Sequence, residues 1–279
     1  MDKRERLGAV VLCIVKAGLF FLAYFVSQLI VSGVLGVIFA VSSLDKDLVQ
    51  ILNERALELS LFSNLISIVC CILIMRFMEK KDTQSGLSMN VDFPRPVTTL
   101  GFCLALGVFG QLFSTYVLNV LIEFPEEWVE QVEQSSAMMT SGSLALQIVT
   151  LAIVAPLAEE IIFRACIQGS LSKGLPSVIA IALTSVLFGV MHGDFIRIIY
   201  ATILGALMCW LYSAFKSIFP SLVFHLAYNM TSLFITGMSL LTFIISTIFF
   251  AISLAFIIYL YCKSRKQINI EGDNNNEAL

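Results

Sequence analysis

Residues 143–167 read SLALQIVTLAIVAPLAEEIIFRACI, an apolar run broken only by Gln147, Glu159, Glu160 and Arg164 as strongly polar side chains. As a helix at 1.5 Å per residue the run covers about 37 Å, enough to cross about 30 Å of hydrocarbon. An ionisable side chain at bilayer depth costs about 2.5 to 3.5 kcal/mol on insertion scales, so three of them in one crossing point to a site, a pathway or a paired network. The chain's only two histidines, His192 and His225, lie in two further apolar stretches.

Outward from that run, the whole chain has the same character. Of its 279 residues 58% are hydrophobic and 13% charged, and the mean hydropathy is +0.91, against about 25% charged residues in an ordinary soluble domain. Apolar runs near 16–41, 59–75, 97–122, 143–167, 175–191, 195–215, 218–234 and 238–261 predict an all-α polytopic membrane protein, a single bundle of about eight transmembrane helices. Lys3, Arg4 and Arg6 precede the first run, Arg76, Lys80, Lys81 and Arg95 follow the second, and Lys173, Lys216, Lys263, Arg265 and Lys266 mark later alternate connections. By the positive-inside rule both termini face the cytoplasm. The stretch from Glu123 to Gly142 carries Glu123, Glu126, Glu127, Glu130 and Glu133 with no Lys or Arg, which places it on the outer side. The net charge of −3 comes largely from this loop and the tail and gives no reason to expect a nucleic-acid partner.

The first run is too long for a cleavable signal and reads as a retained anchor. The seven cysteines show no C-x-x-C spacing and read as small packing residues with no disulfide framework. No repeat of fixed period and no inverted repeat of the transporter kind is visible. Pro125 to Met139, with Trp128, Val129 and Val132 among its acidic residues, suits an amphipathic helix at the outer interface. Gly33 and Gly36, or Gly101 and Ala105, would let helices approach closely.

Glu160 and Arg164 are one helical turn apart and share a face, whereas Glu159 is rotated from Glu160 by about 100°. Two carboxylates side by side in a low dielectric do not ionise easily together, and a guanidinium keeps the one it reaches charged. Glu160 with Arg164 therefore reads as an orienting ion pair, and Glu159 is left for general acid or base work. His192 ends the fifth run, and His225 and Asn229 share a face of the seventh. Measured from the connection at Ser172 to Gly174, Glu159 and His192 lie at similar depth, about 20 to 27 Å. His225 lies nearer its own connection at Lys216, a mismatch that tilt, a buried loop or a kink at Pro220 must absorb.

These residues resemble the CPBP family of intramembrane proteases, which includes the type II CAAX prenyl endopeptidases and the bacterial Abi proteins. Its EExxxR is present as Glu159-Glu160-Ile161-Ile162-Phe163-Arg164, its FxxxH as Phe188 to His192, and its HxxxN as His225 to Asn229. Three complete motifs in family order, using both histidines, make a specific signal over roughly 143–234. The resemblance implies hydrolysis of a peptide bond in a membrane-associated peptide or protein, with Glu159 and His192 activating water, His225 and Asn229 stabilising the oxyanion, and Glu160 and Arg164 supporting them from behind. Phe188 reads as packing. The chain then divides into N-terminal membrane helices with the outer acidic loop (1–142), a CPBP-like catalytic core (143–234), a last crossing (235–262) and a disordered cytoplasmic tail (263–279). The expected location is a bacterial cell membrane.

Two histidines and two glutamates are also a donor set for zinc with an open water position. A reaction without a cofactor is the preferred reading, because no His-Glu-x-x-His pair exists and Arg164 stands beside the would-be ligands. A proton-coupled transporter and a non-catalytic peptide-binding protein, such as one conferring bacteriocin immunity, are the alternatives from other functional classes.

Overall fold

The computed structural model describes residues 3–42, 47–79, 89, 91, 93–235 and 238–277. Among these, all regular structure is helical, in ten helices. They are α1 (Lys3–Ser42), α2 (Leu48–Glu54), α3 (Ala56–Glu79), α4 (Pro96–Leu121), α5 (Glu126–Thr140), α6 (Leu144–Leu171), α7 (Ser177–Val190), α8 (Phe195–Phe215), α9 (Phe219–Ser232) and α10 (Leu240–Glu277). Lys80 and Lys81 of the expected basic cluster lie outside the described residues.

Every one of the eight apolar runs is helical. Six of the helices, α1, α3, α4, α6, α8 and α10, are long and apolar enough to cross a membrane. The runs at 175–191 and 218–234 form shorter helices, α7 and α9, of 14 residues each. At 1.5 Å per residue each spans about 21 Å, less than the hydrocarbon thickness. Large apolar side chains such as Leu29, Ile30, Phe77, Val178 and Leu241 are exposed along these helices, as a lipid-facing surface requires. The protein is an all-α integral membrane protein.

Local chemistry sets several helix ends. Asp47 accepts from the Gln50 amide at 2.7 Å, and Ser143 accepts from the Leu146 amide at 3.3 Å, so a side-chain oxygen satisfies a free donor in the first turn of α2 and α6. Pro96 and Pro220 stand in the first turns of α4 and α9, where a missing N–H costs nothing. Composition predicts a disordered tail, yet α10 continues as helix through the polar residues to Glu277. Extending an existing helix needs only one residue fixed per new hydrogen bond.

The chain forms two compact units. The first combines 1–88 with 124–210, and the second combines 89–123 with 211–279, so a boundary falls inside α8. In the first unit α1 and α3 are joined by a polar seam, with Ser27 Oγ 2.6 Å from Ser67 Oγ and Gln28 Nε2 donating to Asn64 Oδ1 at 3.3 Å. Hydrogen bonding between hydroxyls and amides is a usual adhesive where lipid tails leave no hydrophobic drive for helix association. Phe163, Phe188, Ile162, Ile167 and Met208 are fully buried there.

In the second unit α4 packs along α9. A Cβ at Gly107 would strike the Phe224 carbonyl oxygen and come within 2.8 Å of Ala227 Cβ, so glycine is what permits this approach. Stacked rings join α4 to α10, including Phe102 with Phe256 at 4.1 Å and Phe109 with Phe249 at 4.8 Å. The glycines singled out by spacing behave differently. A Cβ at Gly33 or Gly101 would meet nothing within 4 Å, and one at Gly36 would meet only the side chain of Leu52.

Candidate active site

Glu159 and Glu160 sit where α6 changes its winding. The helix runs as π-helix over Ile148–Val154, as one α-turn over Ala155–Glu159, and as π-helix again over Glu160–Gln168. Pro156 stands in the α-turn and brings no N–H to the ladder, which marks the break between the two wider segments. In the second π segment Glu160, Arg164 and Gln168 follow at four-residue intervals and are all buried. A helix with i→i+5 bonds has more than four residues per turn, so this spacing stacks the three on one face.

Arg164 Nη2 lies 3.2 Å from Glu160 Oε1, and neither side chain has any exposed surface. The same guanidinium rests over the Phe188 ring at 4.6 Å and places Nη2 3.2 Å from the Met208 sulfur. Gln168 donates from Nε2 to the Cys209 carbonyl at 2.9 Å. A charged pair this deep is held by its own geometry and by the polarisable atoms around it, because no solvent screens it.

The contacts continue to His192. The Phe188 ring meets the imidazole edge-on at 4.8 Å, and the Phe188 carbonyl lies 2.9 Å from His192 Nδ1. A carbonyl only accepts, so Nδ1 carries the proton and Nε2 of the neutral ring is the basic nitrogen. Phe188 thus fixes both the plane and the tautomer of His192. Gly193 follows with φ of +85°, a left-handed conformation that glycine adopts without strain and that turns the chain sharply after the histidine. Asp194 then begins the next helix, accepting from the Arg197 amide at 2.9 Å.

Glu159 is half-buried on the neighbouring face of α6. Tyr24 of α1 and Tyr200 of α8 both lie within electrostatic reach of its carboxylate. Tyr24 is almost wholly buried and touches Phe163 edge-on at 5.8 Å. Neither tyrosine was legible as a site residue, since α1 and α8 carry no motif that points to α6. Phe188 did leave a signal, its position one turn before His192, but an aromatic in an apolar run reads first as packing.

The second unit holds His225 and Asn229 one turn apart on α9. His225 is buried and Asn229 half-buried. Tyr228 beside them is 2.6 Å from Ser114 Oγ of α4, which ties α9 to α4 through a hydroxyl pair as well as through Gly107. Ser217 and Ile218 are buried, and Ser217 Oγ accepts from the Phe219 amide at 3.3 Å, so the loop before α9 itself enters the protein.

A model of the family described as Rce1-like, type II CAAX prenyl endopeptidase Rce1-like, matches residues 141–231. That interval contains all three motifs. Over that interval the chain is similar to this peptidase family. Two relatives are similar over part of their length. The protein named "Putative membrane peptidase YdiL" of Bacillus subtilis (strain 168) is 28% identical over 185 residues, covering 63% of this chain and 72% of that protein. The UPF0177 protein YxdF of Lactococcus lactis subsp. lactis (strain IL1403) is 29% identical over 127 residues, covering 44% of this chain and 70% of that protein. No solved structure matches. The matching family and the first of these relatives are described as peptidases, the relative as a membrane one.

Proposed function

We propose that this protein is a CPBP-type intramembrane endopeptidase of the glutamic type that hydrolyses a peptide bond in membrane-associated peptides or proteins, with Glu159 and His192 as the groups that activate water. The observation that carries this reading is the Phe188 carbonyl on His192 Nδ1. It leaves Nε2 as an acceptor for a water proton in the neutral imidazole. Glu159 removes the proton from that water as its oxygen bonds to the scissile carbonyl carbon. The tetrahedral adduct then collapses with cleavage of the C–N bond, and the proton passes to the departing amine. His225 and Asn229 donate to the oxyanion, a role that rests on the HxxxN motif and on their shared face of α9. Glu160 and Arg164 pair within the π segment that follows Glu159 and support it from behind.

A metal would draw its ligands from the same carboxylates and imidazoles. Among the described residues no three His, Cys, Asp or Glu side chains cluster in a way that could hold one. The proposed reaction assigns it no step. Both named relatives come from bacteria, which supports a bacterial cell membrane as the location, with both termini cytoplasmic by the distribution of Lys and Arg.

The test uses the full chain reconstituted in liposomes and a synthetic mixture of membrane-inserting peptides, with products read by mass spectrometry. Wild type should yield paired N- and C-terminal fragments in the presence of EDTA, and Glu159→Ala should yield none. Loss of cleavage on chelation, restored by zinc with stoichiometric binding, would replace the glutamic mechanism with a metal-dependent one. Peptide uptake driven by a proton gradient, with no peptide cut, would replace the peptidase with a transporter.

A further inference from the structure

The acidic helix α5 contributes no buried residue, and its four glutamates, Glu126, Glu127, Glu130 and Glu133, are exposed. A 15-residue helix is marginal on its own in water, so contacts with its neighbours must hold it. It packs against α3 and α6, and side chains of the first turn of α8 bind it as well. Arg197 Nη2 donates to Ser136 Oγ at 2.6 Å and to the Val132 carbonyl at 3.3 Å. Its Nε lies 3.2 Å from Asp194 Oδ2. Trp128 of α5 packs on Phe195 with ring centroids 4.2 Å apart.

Asp194 is the second residue after His192, and its amide donates to the His192 carbonyl at 3.1 Å. The same Asp194 caps α8 through the Arg197 amide and is 8% exposed, so its pairing with the guanidinium is only lightly screened. One side chain therefore joins the acidic helix to the turn after His192.

We propose that Arg197 is a positioning residue of the peptidase: by clamping α5 onto the His192–Asp194 turn it makes that helix a fixed strap that holds the imidazole in its working orientation. This inference rests on His192 being part of the reaction, as proposed above. The strap stays closed during turnover. Lysine cannot replace Arg197, because its single ammonium lacks the planar fork that reaches Asp194 and Ser136 at once. Asparagine at 136 can replace serine, because its amide oxygen also accepts.

The experiment compares wild type, Arg197→Gln, Ser136→Ala and Ser136→Asn as full chains in liposomes, by two readouts. The first is steady-state kinetics on one peptide of the mixture that wild type cleaves. The second is the rate of diethylpyrocarbonate acylation at each histidine, located by mass spectrometry, which needs no cleavage. A displacement of about 1 Å at a catalytic group lowers turnover by about a hundredfold, and partial loosening by less. Arg197→Gln should lower kcat by about ten- to a hundredfold with KM within about twofold, and Ser136→Ala should lower it by a smaller factor. In both, His192 should acylate faster while His225 keeps its wild-type rate, and Ser136→Asn should match wild type in both readouts.

Unchanged kcat and unchanged His192 acylation in Arg197→Gln would overturn the proposal. So would equal acceleration at both histidines in Ser136→Ala, which would reveal general loosening. If wild type cleaves no peptide, the peptidase reading fails, and the acylation pattern still decides whether Arg197 clamps the His192 turn.

Discussion

Phe188 joins two parts of the candidate site. Its ring lies under the Arg164 guanidinium at 4.6 Å and against the His192 imidazole at 4.8 Å, while its carbonyl accepts a hydrogen bond from Nδ1. Phe188→Leu keeps apolar bulk and the carbonyl but removes the ring. A desolvated cation–π contact is worth about 2 kcal/mol, so the variant should accumulate normally and lose at least about tenfold in cleavage rate. Comparing cleavage at matched membrane abundance checks this. The Glu160–Arg164 pair makes a different prediction. Arg164→Met leaves a carboxylate buried without its guanidinium and should destabilise the protein by about 3 to 5 kcal/mol, whereas adding Glu160→Leu should recover much of that loss. Thermal unfolding in detergent distinguishes the two, and equal losses would mean that the pair does not stabilise as a unit. The pair was legible from spacing because i and i+4 share a face in α- and π-helix alike. The surroundings of Glu159 were not, because Tyr24 and Tyr200 reach it from helices far away in sequence.

At the level of elements, apolar length located all eight runs, since lipid exposure demands continuous hydrophobicity. Length alone could not show that α7 and α9 stop at 14 residues, because apolar residues also fill the buried connection at Ser217 and Ile218. The π segments of α6 were equally hidden, as a run of apolar residues is compatible with either winding. Spacing points to Gly33, Gly36, Gly101 and Ala105 for close helix approach, whereas at Gly107 and Gly189 a Cβ would meet backbone of α9 and of α8. Gly107→Val should therefore push α4 away from the helix that carries His225 and Asn229. An overpacked interface costs about 1 to 3 kcal/mol, so this variant should unfold earlier and lose activity, while Gly101→Val, in open space, should do neither. Parallel unfolding and cleavage assays on the two variants test the assignment.

For the whole molecule, membrane integration follows from six helices of crossing length and the apolar surfaces they expose. Orientation adds a prediction: by the positive-inside rule the Lys and Arg distribution favours both chain ends in the cytoplasm and α5 outside. Cys262 is an exposed native thiol near the end of the last crossing, and a cysteine in place of exposed Glu130 would mark α5. A membrane-impermeant maleimide added to intact cells should label Glu130→Cys and spare Cys262, and the reverse pattern would invert the topology. The central claim is that Glu159 drives peptide-bond hydrolysis. Its most direct test is a mass-spectrometric comparison of peptide termini in membranes and medium of native cells carrying wild type or Glu159→Ala at matched abundance. The account predicts paired new termini that are present with wild type and absent with the variant, and identical profiles in cells where wild type is demonstrably functional would contradict it.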